Sequence, residues 1–544
     1  MNVVSRVLVS VSCAAGVALA GALASTRAQG QDTLVGDSPT GDSVIARIYE
    51  QGMHRSEAAA LAQVLMDSIG PRLTGSSANR AANDWLVRTY TSWGISAHNE
   101  QYGTWRDWTR GPSQVTLIAP RARVLEAIAL AWSPNTPDAG VDADVVLLPP
   151  TSQARDSAGF ARWLPSVRGR YVMVSLPQPT CRPDTSWAAW ATPASYAALR
   201  ARRDSASDEW DRRVAVAGAD DQTLARRLAG AGALGILTNY WSRGWGVDKI
   251  MARAETSLPL FDVSCEDYAL LARLTTLGQH PRIHAVATSR LAASEGPVFN
   301  TLAQVTGSRY PKEYVMLSAH LDSWDAGSGA TDNGTGTITM LEAMRILRLV
   351  YPHPKRTIIA GHWSGEEEGE IGSTAFASDH ADILGGLQVL LNQDNGTGPI
   401  DTIDTNGFVD APAAFARWMA RMPADVTTNI TIDEPGYAKN EDSDSDAFAC
   451  RGAPGIFLTS SDYAYTDYTW HTNRDTYDKI NFDEVKRNAT LIAMLAYEAS
   501  EDTTRLSRAR RAPPTDPKTG HVIAPPPCER ERRSWADAMK HWPD

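Results

Sequence analysis

The sequence predicts an α/β protein with a mostly parallel sheet, helices on both faces of that sheet, and a smaller inserted β-rich domain. Residues 314–319 (YVMLSA) form a continuous apolar run, as expected of a parallel strand covered on both faces. From residue 305 onward, strand-like runs alternate with segments of helical periodicity. Short strand-like runs separated by loops lie between residues 124 and 290, and they predict the smaller domain.

The composition indicates a globular protein of more than one domain. The chain has 544 residues, of which 43% are hydrophobic and 21% charged, which excludes a disordered polyelectrolyte or a small disulfide scaffold. The net charge of −11 argues against a nucleic-acid partner, because no overall basic field attracts phosphates.

The first 24 residues predict a cleaved secretory signal. Arg6 precedes an apolar run over residues 7–24 that ends in small residues. This run is weakly hydrophobic for a spanning helix, so we expect no stable membrane span after cleavage, although a retained anchor is the alternative. The expected location is secreted or extracytoplasmic: the periplasm or extracellular space, or the secretory pathway or lysosome of a eukaryote. Residues 25–43 form a polar segment or a removable pro-piece.

The elements of secondary structure follow in chain order. Helices are predicted over residues 44–65, 78–93, 224–233, 337–350 and 481–500, and strands over 143–148, 170–174, 234–237, 260–263, 314–319, 357–362, 387–391 and 455–458. The Pro-rich, basic tail over residues 505–544 is predicted to be extended or disordered. Cysteines 181, 265, 450 and 528 are widely spaced, and both disulfides and free thiols fit that spacing.

Acidic and histidine residues follow the predicted strands of the main sheet. His320 and Asp322 come directly after one strand, and Asp332 follows in a glycine-rich loop; the other residues in such positions are Glu366, Glu367, Asp394 and His471. Because ligands bind at the carboxyl ends of strands in open α/β sheets, we expect these side chains to meet. Two imidazoles and three carboxylates suit a pair of zinc-like ions, with one carboxylate bridging them and a position left open for water.

The motifs HLDSWDAGSGATDNGTG (residues 320–336), WSGEEEGEIGS (363–373), Asp394 and WHTNRDT (470–476) resemble those of the co-catalytic zinc exopeptidases of peptidase family M28. The resemblance covers about residues 45–500 and implies a zinc-exopeptidase-like fold with a PA-like insertion. It implies a peptidase domain over residues 44–123 and 291–504 and a PA-like domain over 124–290.

The resemblance also implies a role for each site residue. Asp332 would bridge two zinc ions, His320 and Asp394 would complete one ion, and Glu367 and His471 would complete the other. Glu366 would be the catalytic general base, and Asp322 would orient the His320 imidazole. The peptide bond between Asp332 and Asn333 occupies a place where the family tends to have a cis bond.

Two positions depart from the family pattern. Residues 443–448 (SDSDAF) lack the histidine of the usual Ser-Asp-His segment, and Glu370 replaces a leucine. Near the last motif, Tyr463, Tyr465 and Tyr468 are candidates for a phenolic donor to the scissile carbonyl, but packing or loop surface is the better interpretation for any one of them. His362 lies in an apolar run, which favours a core histidine.

The function expected from this sequence is that of a secreted di-zinc exopeptidase acting on dipeptides or on the terminal residues of short peptides. Aminopeptidase, carboxypeptidase and dipeptidase activities all fit the residues, and the resemblance favours dipeptides. The alternatives are a glutaminyl cyclase-like acyltransferase and a catalytically inactive binding protein on the same scaffold. The resemblance alone implies a homodimer.

Overall fold

The computed structural model describes residues 41–218, 221–251, 257–434, 436–516 and 518–540. The predicted signal, and the polar segment as far as residue 40, lie outside the described residues. Strands β1 to β14 are Ser96–Ala119, Arg123–Leu125, Ala127–Ala129, Val141–Leu147, Tyr171–Met173, Gly235–Thr238, Leu260–Val263, Arg282–Val305, Tyr310–His320, Arg356–Trp363, Leu387–Asn392, Ile400–Asp404, Thr431–Ile432 and Gly455–Ser460.

The helices α1 to α16 are Ser43–Tyr49, Ala58–Gln63, Ser77–Ser92, Ser157–Trp163, Asp184–Trp190, Pro193–Ala217, Asp221–Gly230, Cys265–Thr276, Thr335–Val350, Ile371–Asp379, Ala381–Gly386, Ala411–Met419, Ala424–Thr427, Ser445–Ala449, Phe482–Glu501 and Trp535–Ala538. Shorter helical turns are Glu50–His54, Val64–Ile69, Leu164–Val167, Ala330–Gly334, Tyr465–Thr469 and Tyr477–Lys479. Within the described residues, no helix combines the length and the apolar character needed to cross a bilayer.

The described strands form one large mixed sheet, which confirms the predicted α/β class with a mostly parallel main sheet. Its order is β13-β12-β14-β11-β9-β10-β8-β4-β5-β6-β7-β3, and β1 pairs with β8 and β2. Strand β9 is central to the main part, where it pairs in parallel with both β10 and β11. The carboxyl ends of these three strands therefore lie at one edge of the sheet.

The core of the main part explains why its strands read as unbroken apolar runs. Every residue of β10 and β11 is buried, and so are the last six residues of β9. Helices α9 and α15 pack against each other and against β9, with most of their residues buried. A strand covered on both faces has no polar face, which removes the alternation of a half-exposed strand.

Strands β1 and β8 form a long antiparallel pair that sequence analysis did not single out. Each has 24 residues, and β8 pairs with β10 near Val305 and with β4 near Arg282. The register between β1 and β8 shifts at four places, including one next to Gly103. Each shift interrupts the two-residue alternation that identifies a strand in a sequence.

The predicted helix over residues 44–65 is wrong in one respect, because it is interrupted. The first helical stretch ends at His54, and α2 begins at Ala58. At the break, the backbone N–H of Glu57 donates to Glu342 of α9 at 3.0 Å. Residues 124–290 contain helices as well as the predicted strands, and α6 is the longest of them at 25 residues.

The tail is largely extended, which is one of the two predicted alternatives, and it is held against the body of the protein. Disulfides join Cys450 to Cys528 and Cys181 to Cys265, so all four cysteines left open by the sequence are paired. The backbone N–H of Thr104 donates to the Arg533 carbonyl at 2.9 Å, and Arg532 and Trp535 are buried. The composition left an extended and a disordered tail open, and the covalent link and the buried aromatic residue hold this extended segment against the body of the protein.

Candidate metal centre

Three neighbouring strands deliver acidic and histidine side chains to one edge of the sheet. His320 is the last residue of β9, and it lies opposite Trp363, the last residue of β10. Glu366 and Glu367 follow β10 by a few residues, and Asp394 follows β11 by two. The loop after β9 and the loop after β14 add Asp332 and His471, so all six predicted ligand and base residues converge.

The first group of potential ligands consists of His320, Asp332 and Asp394. The Nε2 atom of His320 lies 2.9 Å from Oδ1 of Asp394 and 3.5 Å from Oδ1 of Asp332. One ligand atom from each of the three residues falls within 4.8 Å of the others. This spacing suits a cation held between them.

The second group consists of Asp332, Glu367 and His471. The Nε2 atom of His471 lies 2.8 Å from Oε2 of Glu367 and 3.3 Å from Oδ2 of Asp332. Asp332 thus belongs to both groups and presents a different oxygen to each histidine. Glu366 belongs to neither group, although its Oε2 lies 3.8 Å from Nε2 of His320.

The electrostatics of this cluster call for added positive charge. Burial raises the pKa of Glu366 and Glu367 well above the usual range, and neighbouring carboxylates add to this effect. Burial also lowers the pKa of His471 to about 4. Within the described residues, Oδ2 of Asp332 and Oε1 of Glu367 are buried without a hydrogen-bond partner. A divalent cation would balance these carboxylates and occupy their unused oxygens, so the residues present fit a metal.

Asp322 has a wider role than the predicted contact with His320. Its carbonyl oxygen lies 3.1 Å from Nδ1 of His320, whereas its carboxylate lies 3.6 Å away. The carboxylate instead accepts from the backbone N–H groups of Glu366 and Glu367, each at 3.3 Å, and from the Thr74 hydroxyl at 3.1 Å. Asp322 therefore connects the strand carrying His320 to the loop carrying the two glutamates.

Asp475 and Arg72 hold the loop that carries Asp332, and sequence analysis assigned neither of them a role. Asp475 accepts from the backbone N–H groups of Thr331 and Asp332 at 2.8 and 3.0 Å. The buried Arg72 guanidinium donates to three carbonyls of the same stretch of chain, those of Leu321, Ser328 and Gly329. Asp475 lies inside the last quoted motif, but its partners and those of Arg72 are distant in sequence.

Residues of the predicted insertion brace His471. The backbone N–H of Ile250 donates to the His471 carbonyl at 2.9 Å. The Lys249 ammonium contacts the Trp470 carbonyl and lies 4.1 Å from the centroid of the Trp470 ring. The Trp470 ring in turn stacks on the His471 imidazole at 4.2 Å.

Tyr465 is the tyrosine that reaches the centre, while Tyr463 and Tyr468 are exposed. Burial acts to raise the pKa of Asp332, but His320, His471 and a hydrogen bond from the Tyr465 hydroxyl together lower it. His362 is a core histidine, as predicted, because its Nε2 lies 2.7 Å from the Tyr90 hydroxyl and its side chain is fully buried. The bond between Asp332 and Asn333 is cis, as the resemblance implied.

A cavity of about 460 Å³ opens from the ligand cluster. Asp332, Glu366 and His471 line its inner end together with Tyr465. A volume of this size is typical of small-molecule sites and can hold a short peptide.

Comparison with known proteins identifies the class. Residues 300–496 match Peptidase family M28, so this part of the chain is a peptidase M28 domain. This match confirms the resemblance drawn from the motifs and the predicted enzyme class, a metallopeptidase.

Most of the chain is related to carboxypeptidase Q. The rat protein (Rattus norvegicus) is 26% identical over 469 residues, which cover 86% of this chain and 90% of the relative. The human protein (Homo sapiens) is 25% identical over 467 residues, which cover 85% of this chain and 89% of the relative. The chain thus contains a peptidase M28 domain and is related to carboxypeptidase Q over most of its length.

Solved structures share the fold. A peptidase M28 precursor from Shewanella amazonensis SB2B superimposes with a TM-score of 0.64 at 24% identity, covering 87% of this chain and 98% of that chain. BSAP, a zinc aminopeptidase from Bacillus subtilis, gives a TM-score of 0.54 at 16% identity, covering 83% of this chain and 96% of that chain. Both likenesses cover more than four-fifths of this chain.

Proposed function

We propose that this protein is a secreted di-zinc exopeptidase that hydrolyses dipeptides or removes terminal residues from short peptides. The observation that carries the proposal is Asp332, which presents separate oxygens to His320 and His471 within two ligand groups. In this proposal Asp332 bridges two ions, His320 and Asp394 hold one, and Glu367 and His471 hold the other. The zinc aminopeptidase with the same fold supports zinc as the metal.

When bound, two zinc ions supply Lewis acidity toward the peptide carbonyl and favour an ionised water near neutral pH. Glu366 is the general base: its carboxylate lies beside the ligand groups and faces the cavity, where it can accept a proton from water and pass it to the leaving amine. Tyr465 reaches the same end of the cavity and can donate its hydroxyl proton to developing negative charge on the substrate.

We also propose that residues 44–123 and 291–504 form the peptidase domain, and that residues 124–290 form a PA-like insertion bordering the cleft. The contacts of Lys249 and Ile250 with the chain around His471 support this arrangement. Two disulfides support an oxidising, extracytoplasmic location, in keeping with the predicted signal. We retain the homodimer as a proposal, which light scattering of the purified protein tests.

The experiment that tests this function is hydrolysis of one dipeptide in free, N-blocked and C-amidated forms, each with and without a chelator. Chelator-sensitive cleavage of the free form alone supports a dipeptidase. Additional cleavage of only the amide indicates an aminopeptidase, and additional cleavage of only the N-blocked form indicates a carboxypeptidase. If no form is cleaved by the zinc-loaded protein, the proposal is wrong.

A further inference from the structure

The far wall of the catalytic cavity carries acidic side chains outside both ligand groups. Glu370, Glu441, Asp442 and Glu529 line this wall, and Arg532 is the one basic residue among the described lining residues. Arg532 donates to the Gly369 carbonyl at 2.9 Å and lies 3.8 Å from Glu529. The wall therefore carries four carboxyl groups and one guanidinium, and a cation entering the cavity would favour ionisation of these carboxyl groups.

Glu370 is the central observation. Its side chain lines the cavity but only 7% of the residue is exposed, and its Oε2 has no hydrogen-bond partner within the described part of the chain. Glu370 occupies a position where the family pattern has a leucine. Binding of metal by the two ligand groups therefore does not require a carboxylate at this position. Burying a carboxyl oxygen without a partner is costly, and a hydrogen-bond donor that arrives from the cavity would satisfy it.

Capping of helix α10 does not explain the presence of Glu370, because its side chain makes no capping hydrogen bond with the residues that the structure describes. Glu370 immediately precedes α10, but among the described residues no backbone N–H of that helix donates to its side chain. The backbone of Glu370 is left-handed, with φ of 54°, an unusual conformation for a residue other than glycine. This conformation accompanies a side chain that faces the cavity rather than the helix end.

Surrounding charges make a cationic partner favourable. Burial raises the pKa of Glu370 well above its usual range, and Asp446, Asp444, Glu529 and Asp442 raise it further. Asp444 lies fully buried behind the wall, and neither of its carboxylate oxygens has a hydrogen-bond partner within the described residues. An added positive charge in the cavity would relieve this repulsion.

The cation suited to this wall is an ammonium group rather than a third metal ion. Within the described residues, the two groups with metal-ligand spacing are those of the main centre, and Glu370 belongs to neither. An ammonium group carries three donors and can contact carboxylates that are too dispersed to coordinate a metal. A peptide supplies such a group either as its α-amino terminus or as a basic side chain.

We propose that Glu370, with Asp442 and Glu529, forms a subsite for an ammonium group of the peptide substrate beside the metal centre. This inference rests on the proposed peptidase function. The C-terminal tail completes the subsite, because Glu529 follows Cys528, which is bonded to Cys450. The wall would thereby select substrates by charge, while the metal centre cleaves them.

Four probes without a hydrolysable C-terminal amide test the subsite by calorimetry on the full-length protein: lysinol, norleucinol and their Nα-acetylated forms. They carry both ammonium groups, the α-ammonium alone, the side-chain ammonium alone, or neither. We expect one of the ammonium groups to tighten binding at least about tenfold. The two singly charged probes show which group it is.

The same titrations on Glu370→Leu and Glu370→Gln should remove that gain and leave binding of the uncharged probe within about twofold. The matched control is Glu531→Gln, which removes an exposed carboxylate of the same tail outside the cavity lining and should retain the gain. Glu370→Gln keeps the shape of the side chain, and Glu370→Leu introduces the residue of the family pattern. Circular dichroism of both variants shows whether either one has a folding defect.

The proposal is overturned if no ammonium group tightens binding to the wild type, or if both Glu370 variants keep the full gain. If the side-chain ammonium is the group bound, the ratio of kcat/KM for a lysine dipeptide to kcat/KM for its norleucine counterpart should fall about tenfold in Glu370→Gln. If no peptide is hydrolysed, the proposed function fails, but the probe titrations still decide the subsite. The two failures are therefore distinguishable.

Discussion

The carboxylate of Asp475 accepts a hydrogen bond from the backbone N–H of Asp332 at 3.0 Å. The same carboxylate accepts from the backbone N–H and hydroxyl of Thr331, each at 2.8 Å. One buried side chain thus fixes the peptide units on the N-terminal side of the residue proposed to bridge two ions. In metal sites, partners of this kind orient the ligands that hold the ion.

We predict that Asp475→Ala weakens zinc affinity about 10- to 100-fold, because the loop of Asp332 loses its acceptor. The two orphaned N–H groups should also lower the free energy of unfolding by about 1–3 kcal/mol. Competition with a chelator of known affinity and chemical denaturation measure the two effects. Asp478→Ala is the control, since that side chain is 73% exposed, and an equal effect there would contradict the prediction.

Glu366→Gln should retain both ions and lose about 10²- to 10⁴-fold in kcat. Glutamine preserves the shape of the side chain but cannot accept a proton from water at neutral pH. Elemental analysis and steady-state kinetics on the same preparation separate metal loss from loss of the base. A variant with near-normal kcat would show that Glu366 is not the base.

Lys249→Met should lower zinc affinity by about tenfold at one of the two ions. The ammonium holds the Trp470 carbonyl, and Trp470 stacks on His471, so its loss frees the ligand to move. Titration of the metal-depleted protein with zinc resolves the two binding steps. Lys312→Met is the control on the exposed surface, and a change in both steps or in neither would argue against this bracing role.

The stability of the metal-depleted protein should fall as the pH falls below about 6.5 because of His362. Burial lowers the pKa of this imidazole from 6.5 to about 3. Between these values the unfolded chain binds a proton that the folded chain does not, so each pH unit of acidification costs up to about 1.4 kcal/mol. The stabilising contribution of the neutral His362 imidazole is present above pH 6.5 and is lost as the pH falls toward 3.

Denaturant unfolding of wild type and His362→Gln between pH 7 and 4 tests this expectation. As the pH falls, the free energy of unfolding should decrease less steeply in His362→Gln than in the wild type. The difference in slope should be up to about 1.4 kcal/mol per pH unit, the contribution of one imidazole. The control is His353→Gln, which removes an exposed histidine. Identical slopes in wild type and His362→Gln would contradict the assignment.

The parts of the fold predicted from the sequence are those with a simple local pattern. Strands β9, β10 and β11 are buried on both faces, so their apolar runs identify them without knowledge of their neighbours. The polar residues after each run then converge, because parallel strands end at one edge. The metal-binding roles of those residues remain a prediction.

Other features depend on contacts between distant segments. The roles of Asp475, Arg72 and Lys249 arise from hydrogen bonds across more than 100 positions of sequence, which no local pattern encodes. The composition left an extended and a disordered tail open, and the structure decides between them through contacts such as the bond between Cys450 and Cys528 and the burial of Trp535. Glu370 was visible as a departure from a motif, but its buried position beside the cavity required the structure.

The most direct measurement is the rate of dipeptide hydrolysis as zinc is added stepwise to the metal-depleted protein. We expect the amount of bound zinc and the rate to reach a plateau together at two ions per chain. We also expect His320→Ala to bind one ion and to stay far below the wild-type rate. Full activity without added metal, or no hydrolysis with two ions bound, would contradict the proposed di-zinc peptidase.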